Sequence, residues 1–412
     1  MKRARPAWSR EPRFALALLA LSLWGLAMIY SAGVLNVPSP VTQRIWMRHG
    51  ALLVAALMGF AVVARVPTRW FEWISLPAFI FWTAVLGVTL AVGTGAGTAS
   101  GVKAFLSIGG FRFQPSEAAK IATILYLARV LSSRDRPPRD LRDLLTPAAI
   151  VGVPLALVVL QPDLGTALAF LGILFASLFW AGTPWPILLL LASPGFALVL
   201  SFDTRLWSAY VILLFAGLYL YRFRLDLAES VAVFMANVAA GTIAGPLWSS
   251  LASYQKNRIL VFLDPSVDPQ GAGWQLIQSK VAVGSGGLFG KGFTLGTQKR
   301  LDFLPEQHTD FIFGVVGEEF GFVGTSLTLL VFLYAFSQMI KMAEGSKDPF
   351  AGLVIFGTLG AWLTHVFVNV GMTIGLVPIT GIPLPFISYG GSFLLMSWLA
   401  AGIMIRVANE EP

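Results

Sequence analysis

Up to about residue 250 the chain is a series of apolar runs broken by short polar turns, and the same pattern resumes after residue 310. A membrane-spanning helix needs about 20 mostly apolar residues. Twelve stretches meet or approach that length: near 14–35, 46–64, 71–92, 115–132, 146–160, 163–182, 185–202, 206–221, 227–248, 311–340, 352–375 and 385–406. Those at 146–160 and 163–182 are short and nearly continuous, which suggests tilted helices meeting at a polar QPDLGT turn. One long segment breaks the pattern. From Tyr254 to about Gly324 apolar residues thin out, and polar, charged and glycine residues crowd together. A long polar stretch inside an apolar chain is seldom only a connector, so it is read as the reactive part and the rest as its scaffold. Near the C-terminus, Pro378, Pro383 and Pro385 predict a broken or re-entrant segment over 375–385. Such backbone is tolerated at membrane depth only where protein buries it or it lines a wet cavity.

Composition turns this pattern into a fold class. Of 412 residues, 56% are hydrophobic and 12% charged, and the mean hydropathy is +0.74. A soluble domain carries roughly a quarter charged residues. The chain therefore reads as an all-α polytopic integral membrane protein with a single domain over 1–412. The net charge of +8 sits in short loops and at the N-terminus without forming a basic face, which fits anionic membrane lipid and not nucleic acid. The absence of cysteine excludes disulfides, thiolate metal sites and cysteine nucleophiles. The basic N-terminal tail, 1–13, precedes an apolar run too long for a cleaved signal, so that run is read as a signal anchor and first span.

Basic residues set the expected orientation. With the N-terminus inside, the cytoplasmic loops carry Arg65 and Arg69, then Arg134, Arg136, Arg139 and Arg142, then Arg222 and Arg224, Lys341 and Lys347, and finally Arg406. An even number of spans with both termini cytoplasmic follows, leaving a large loop over 249–310 on the outer face together with 94–113, 161–163 and 375–385. No ATP exists there, so no nucleotide is expected and any chemistry must draw on an activated substrate.

Several motifs fail. The run GSGGLFGKG has Ser285 where a phosphate loop needs its first glycine and Gly292 where it needs Ser or Thr. There is no GxSxG or HExxH, and of three histidines only His308 lies in the polar segment, so a multi-histidine metal site is excluded. Carboxylates and cations at the outer face remain. Asp310 precedes a long apolar helix, as an N-cap would, or it is a general base whose pKa rises by partial desolvation. Glu318 and Glu319 lie in that helix, where a carboxylate costs roughly 2.5–3.5 kcal/mol and needs a partner. They are either one interfacial residue and one structural hydrogen-bonder, or a buried ion pair with Lys120 or Arg258. Glu117 and Lys120 in QPSEAAK are spaced to pair with each other, and Asp163 suits a helix cap as well as a site. Arg258, Lys280, Lys291, Lys299 and Arg300 are external cations that suit a diphosphate or carboxylate ligand, although a solvated face is the default for the last three. ISYGGSF (387–393), placed within the final span, offers Ser388, Tyr389 and Ser392 for bonds between helices. The residues alone yield an external acid/base site above a membrane groove, with cations for an anionic lipid.

Taken together, QPSEAAK, QPDLGTAL, NRI..FLDP..DPQGAGWQ, QSKVAVGSGGLFGKG, GTQ..LDFLPEQHTDFIFGVVGEEFG and GIPLPFISYGGSF span most of the chain. They resemble the SEDS family (shape, elongation, division, sporulation) of bacterial cell-wall polymerases, its RodA-like elongation branch in particular. The resemblance implies a peptidoglycan glycosyltransferase that polymerises lipid II, the undecaprenyl-diphosphate-linked disaccharide pentapeptide, at the outer face of the cytoplasmic (inner) membrane. It maps the essential acid to Asp310 and the important Glu and Lys to Glu117 and Lys120. It also implies a divalent cation (Mg2+ or Mn2+) and a class B penicillin-binding protein, a PBP2-like transpeptidase, as partner. Arg258, Asp163, Lys280, His308, Glu319 and Ser388 are the further residues expected to meet substrate. Two departures stand out. Phe105 occupies a place where the family often has tryptophan, and about ten family spans leave an extra helical hairpin over 203–248. A lipid II flippase and a non-enzymatic scaffold for the transpeptidase are the alternatives, and a flippase would need its polar residues spread through the bilayer depth.

Overall fold

The computed structural model describes residues 11–36, 42, 44–95, 103–108, 111–220, 226–301, 303 and 306–410. All twelve apolar stretches are helices. They are α1 (Pro12–Ala32), α2 (Ile45–Val63), α3 (Thr68–Val92), α4 (Pro115–Ser132), α5 (Leu141–Leu160), α6 (Leu164–Trp180), α7 (Trp185–Leu200), α8 (Thr204–Leu220), α9 (Leu227–Ser250), α13 (Ile312–Gly345), α14 (Pro349–Ile374) and α15 (Gly391–Asn409). Eight of these are long and apolar enough to cross a membrane, and α6, α7 and α8 are shorter apolar helices. The charges Glu117, Lys120 and Arg129 leave α4 the least apolar member of the set.

Local chemistry sets the ends. Asp163 caps α6 by accepting from the Thr166 amide at 3.0 Å, which separates α5 from α6 at the expected QPD turn. Asp348 caps α14 through the Phe350 amide, with Pro349 at its first position. Gly375 ends α14 in the left-handed conformation that glycine adopts without steric cost.

α14 is the axis of the bundle. Some 83% of its apolar window is buried, against 17% for α3, so α14 packs against protein all round while α3 faces outward. It lies against α6, α13, α4 and α15, while α1 packs on α13, α2 on α15 and α3 on α4. Small residues allow the closest approach: a Cβ at Gly360 would stand 2.3 Å from the Gly172 carbonyl oxygen. The helices α7, α8 and α9 form a satellite at the edge, where Leu218 and Val233 make a small separate core and Leu218 is the one buried side chain of α8. The 203–248 stretch lies in this satellite; Arg222 and Arg224 fall outside the described residues.

The 249–310 segment differs from its expectation as an open polar loop. It contains α10 (Ser253–Leu263), a 3-10 turn (Pro265–Val267), α11 (Ala272–Ser285) and α12 (Thr297–Arg300). α11 buries Leu276, Ser279 and Ala282 against the bundle, and Ser279 donates to the Thr373 carbonyl at 2.8 Å. The short hairpin of β1 (Leu106–Ile108) and β2 (Phe111–Phe113), with Leu106 opposite Phe113, leads into α4.

The glycine run has a structural task. α13 is interrupted at Gly321, whose φ of 62° and ψ of −157° leave amides without helical partners. The amides of Phe322 and Val323 donate instead to the carbonyls of Gly287 and Leu288 at 2.8 and 3.0 Å. Lys291 and Gly292 in turn donate to the carbonyls of Glu318 and Glu319. A Cβ at Gly290 would stand 2.1 Å from the Glu319 carbonyl oxygen, so only glycine fits there.

Two further expectations change. The final helix begins at Gly391, not near 385, so Ser388 and Tyr389 sit in non-helical backbone before it. Glu318 and Glu319 do not pair with Lys120 or Arg258. Glu318 meets Lys291 at 2.7 Å and Glu319 meets Lys299 at 2.5 Å, with Lys299 and Glu319 both 0% exposed. Lys299, expected on a solvated face, is thus a fully buried cation that also bonds Ser31 at the end of α1. Its burial pulls its pKa below the ordinary lysine value, and Glu319 opposes that pull.

Candidate active site

The broken 376–390 backbone, the start of α4, the start of α6 and the turn before α13 enclose a cavity of about 220 Å³. Its wall carries Glu117, Asp163, Arg258, Glu306, Asp310 and Arg112. Four of these were expected from sequence; Arg112 and Glu306 were missed. Arg112 sits in β2 and Glu306 within LPEQHTD, and neither spacing nor charge pattern distinguishes them from ordinary surface residues.

Asp310 is held by its backbone. Glu306 adopts φ +52°, a sharp turn in which its carbonyl accepts from the amides of Thr309 and Phe311. Beyond Gln307, three successive carbonyls are each clamped: His308 by the Tyr389 amide at 2.8 Å, Thr309 by the Ser388 hydroxyl at 2.6 Å, and Asp310 by the Asn369 side-chain amide at 2.8 Å. α13 begins only at Ile312, so Asp310 is not the helix cap that its sequence position allows. Its carboxylate faces the cavity instead. A Cβ at Gly381, where φ is +77°, would lie 3.2 Å from the Asp310 carboxylate and 3.7 Å from the Arg258 guanidinium, so this glycine lets the two groups converge. Arg258 donates to the Thr380 carbonyl at 3.2 Å and lies over the Tyr254 ring. Burial and the negative charge of Glu306 raise the Asp310 pKa to about 7, with Arg258 opposing them. A carboxyl tuned to that range accepts a proton efficiently near neutral pH.

Glu117 and Lys120 form the expected pair at 2.9 Å, both nearly fully buried. Glu117 lines the cavity and Lys120 stands directly behind it. Asp163 reaches the wall with its capping bonds made and a further bond from the Gln114 amide at 3.0 Å. Phe105 also lines the cavity, so an aromatic ring occupies that wall.

The remaining expected residues lie elsewhere. Lys280 lies against Gly375 beyond the end of α14. Glu319 is occupied by Lys299 and Ser31. Ser388 shapes the Asp310 turn from behind. His308 is buried, its pKa lowered to about 4 by desolvation and by Lys299, so its ring stays neutral near pH 7. No three His, Asp or Glu side chains converge as a metal-ligand set among the described residues.

Comparison with known proteins gives a consistent result. The family model described as cell cycle protein (FtsW, RodA, SpoVE) matches residues 12–219 and 204–412. The peptidoglycan glycosyltransferase RodA of Treponema pallidum is 33% identical, over 96% of each chain. The peptidoglycan glycosyltransferase MrdB of Escherichia coli is 34% identical, over 97% of this chain and 94% of that one. Among solved structures, a peptidoglycan synthase complex described by its coordination of polymerization and crosslinking aligns with a TM-score of 0.71 and 26% identity, covering 96% of each chain. The rod shape determining protein RodA of Thermus thermophilus shares the fold, with a TM-score of 0.62 at 24% identity over 97% of this chain and 96% of that one.

Proposed function

The chain belongs to the cell cycle protein family of FtsW, RodA and SpoVE, and from that premise we propose that it is a peptidoglycan glycosyltransferase that polymerises lipid II during cell elongation. It is an integral membrane enzyme, and its place is the bacterial cytoplasmic membrane with both termini inside and the cavity at the outer face. The observation that carries the reading is Asp310: a carboxylate on a cavity wall, faced by Arg258, with its backbone clamped and its pKa raised to about 7.

In this mechanism Asp310 takes the proton of the acceptor sugar's 4-hydroxyl as that oxygen attacks the donor anomeric carbon. The new glycosidic bond forms as the bond to the lipid diphosphate breaks, with inversion, and the diphosphate leaves as an anion. Because the leaving group is already activated, no nucleotide is needed. Arg258 meets Asp310 at Gly381 and balances the diphosphate charge. Arg112, also on the wall, adds a second cation. The Glu117–Lys120 pair forms the floor of the site and keeps one charge of each sign fixed beneath the reacting groups.

A divalent cation fits this donor set only as a partner of the substrate. Mg2+ and Mn2+ commonly take one or two carboxylates plus substrate phosphates, and Asp310 with Glu306 offers those oxygens. Such an ion supplies charge neutralisation on the departing diphosphate. The crosslinking partner is a class B penicillin-binding protein, consistent with the likeness to a synthase complex that couples polymerization to crosslinking.

The test is polymerisation of labelled lipid II by the purified protein with a penicillin-binding protein that lacks its own glycosyltransferase domain. Wild type makes glycan strands. Asp310→Asn folds, binds the partner and makes none. Equal strand formation by both would remove Asp310 from the chemistry, and strands from neither would return the flippase reading to the front.

A further inference from the structure

Lys120 has a second buried partner that no carboxylate chemistry requires. Its ammonium lies 2.9 Å from Nε2 of His365, as close as it lies to Glu117. His365 is in the middle of α14, 0% exposed, with its other ring nitrogen, Nδ1, 3.1 Å from the Pro383 carbonyl oxygen. These contacts settle the tautomer. A carbonyl only accepts and an ammonium only donates, so Nδ1 carries the hydrogen and the Nε2 lone pair faces Lys120. The ring is further held by stacking on Phe393, with centroids 4.6 Å apart and planes at 23°, and the Lys120 ammonium lies 5.1 Å from the centre of that same ring.

The far ends of this chain of contacts return to the cavity. Glu117, Pro383 and Phe393 all line it, whereas Lys120 and His365 stand behind. One turn along α14, Asn369 donates from its side-chain amide to both the Asp310 and the Ile382 carbonyls at 2.8 Å. His365 and Asn369 are four residues apart and so share one helix face. That face staples the Thr380–Pro383 wall at two points. Through Lys120 it also reaches Glu117, and through Asn369 it reaches Asp310.

We propose that His365 is a positioning residue for glycosyl transfer: it accepts from Lys120, fixes the ammonium against Glu117, and ties that pair to the same wall that holds Asp310. The inference rests on the glycosyltransferase reading above. An ammonium has three hydrogens, and where protein buries it each unmet one carries a desolvation cost. With Nε2 as acceptor, Lys120 places one hydrogen on Glu117 and one on His365. Without it the ammonium swings away from Glu117, and the fixed charge beneath the reacting groups is lost.

The experiment measures lipid II polymerisation by purified complexes with the penicillin-binding partner, for His365→Leu, His365→Asn and His365→Gln, alone and with Lys120→Met. Gln extends far enough to place an oxygen where Nε2 sits, whereas Asn reaches only the Nδ1 position. His365→Leu and His365→Asn are expected to lower kcat roughly ten- to a hundredfold with little change in KM. His365→Gln retains most of the wild-type kcat, and Lys120→Met with His365→Leu is no slower than Lys120→Met alone. Wild-type kcat in His365→Leu overturns the proposal. So does rescue by Asn in place of Gln, which would assign the role to the Pro383 contact, and so do losses that multiply in the double variant. If the leucine variant does not fold, the Gln and Asn pair, matched in partner binding and melting temperature, decides by itself. Failure of the glycosyltransferase reading is separate, since then the wild-type complex makes no strands.

Discussion

The carboxyl of Asp310 is pushed up to about 7 because protein replaces water around it and Glu306 adds negative charge. Catalysis by the ionised form then falls as pH drops through about 7, and a pH–rate profile should show one acid limb centred there. The stability effect has the opposite sense. The folded protein holds this proton more tightly than the unfolded chain, whose carboxyl titrates near 3.8, so stability declines between about pH 4 and 7 and the loss is complete above 7. Asp310→Asn should therefore melt at a higher temperature than wild type at pH 8 and at nearly the same temperature near pH 4, while losing polymerisation at pH 8. An equal melting difference at both values would place the carboxyl in water. Arg258 is exposed to the cavity and lies beside Asp310, so Arg258→Met should raise KM for lipid II roughly tenfold through the lost charge on the diphosphate. An unchanged KM would assign that charge to Arg112.

At the scale of elements, the interrupted helix α13 and the glycine run form one structural unit. The buried Lys299–Glu319 pair pins α12 to α13 and, through Ser31, to α1. Breaking a buried pair on one side leaves an uncompensated charge, which costs about 3–5 kcal/mol. Glu319→Gln should destabilise the protein by that amount, and the double change of Lys299→Met with Glu319→Leu should recover most of it. A melting temperature unchanged in Glu319→Gln would show that water reaches Lys299. Sequence reasoning located every long helix because apolar length is a one-dimensional property. It missed α10 to α12, whose mixed composition hides the faces by which α11 packs on α13 and α14, and α10 and α12 pack on α11. It also gave Glu318 and Glu319 the wrong partners, because Lys291 and Lys299 look like surface lysines until the chain folds back over the break at Gly321.

For the whole molecule, the lack of cysteine makes topology directly measurable. In whole spheroplasts, a single Ser266→Cys in the polar segment should react with a membrane-impermeant maleimide if that segment faces outward as proposed. Lys347→Cys, between α13 and α14, should react only after permeabilisation. Labelling of Lys347→Cys from outside would invert the bundle and place the cavity in the cytoplasm. The satellite of α7, α8 and α9 joins the main bundle through few buried side chains, with α5 and α9 linked at Arg142 by its 3.8 Å pair with Asp226 and its bond to Glu229.

Membrane class, the number and order of the long helices and the position of the polar segment along the chain were readable from the sequence, because each depends on local composition or on a string of adjacent residues. Folding alone decided which of the polar groups meet. Asp310 and Glu117 lie far apart in the chain and share a cavity because α14 crosses the bundle, holding Asp310 through Asn369 and, through His365, the Lys120 that pairs with Glu117. Lys280, Glu319 and Ser388 have the right chemistry for a site but face other partners. Those choices depend on which helix faces are turned towards each other, and a linear pattern of apolar lengths contains no information about that.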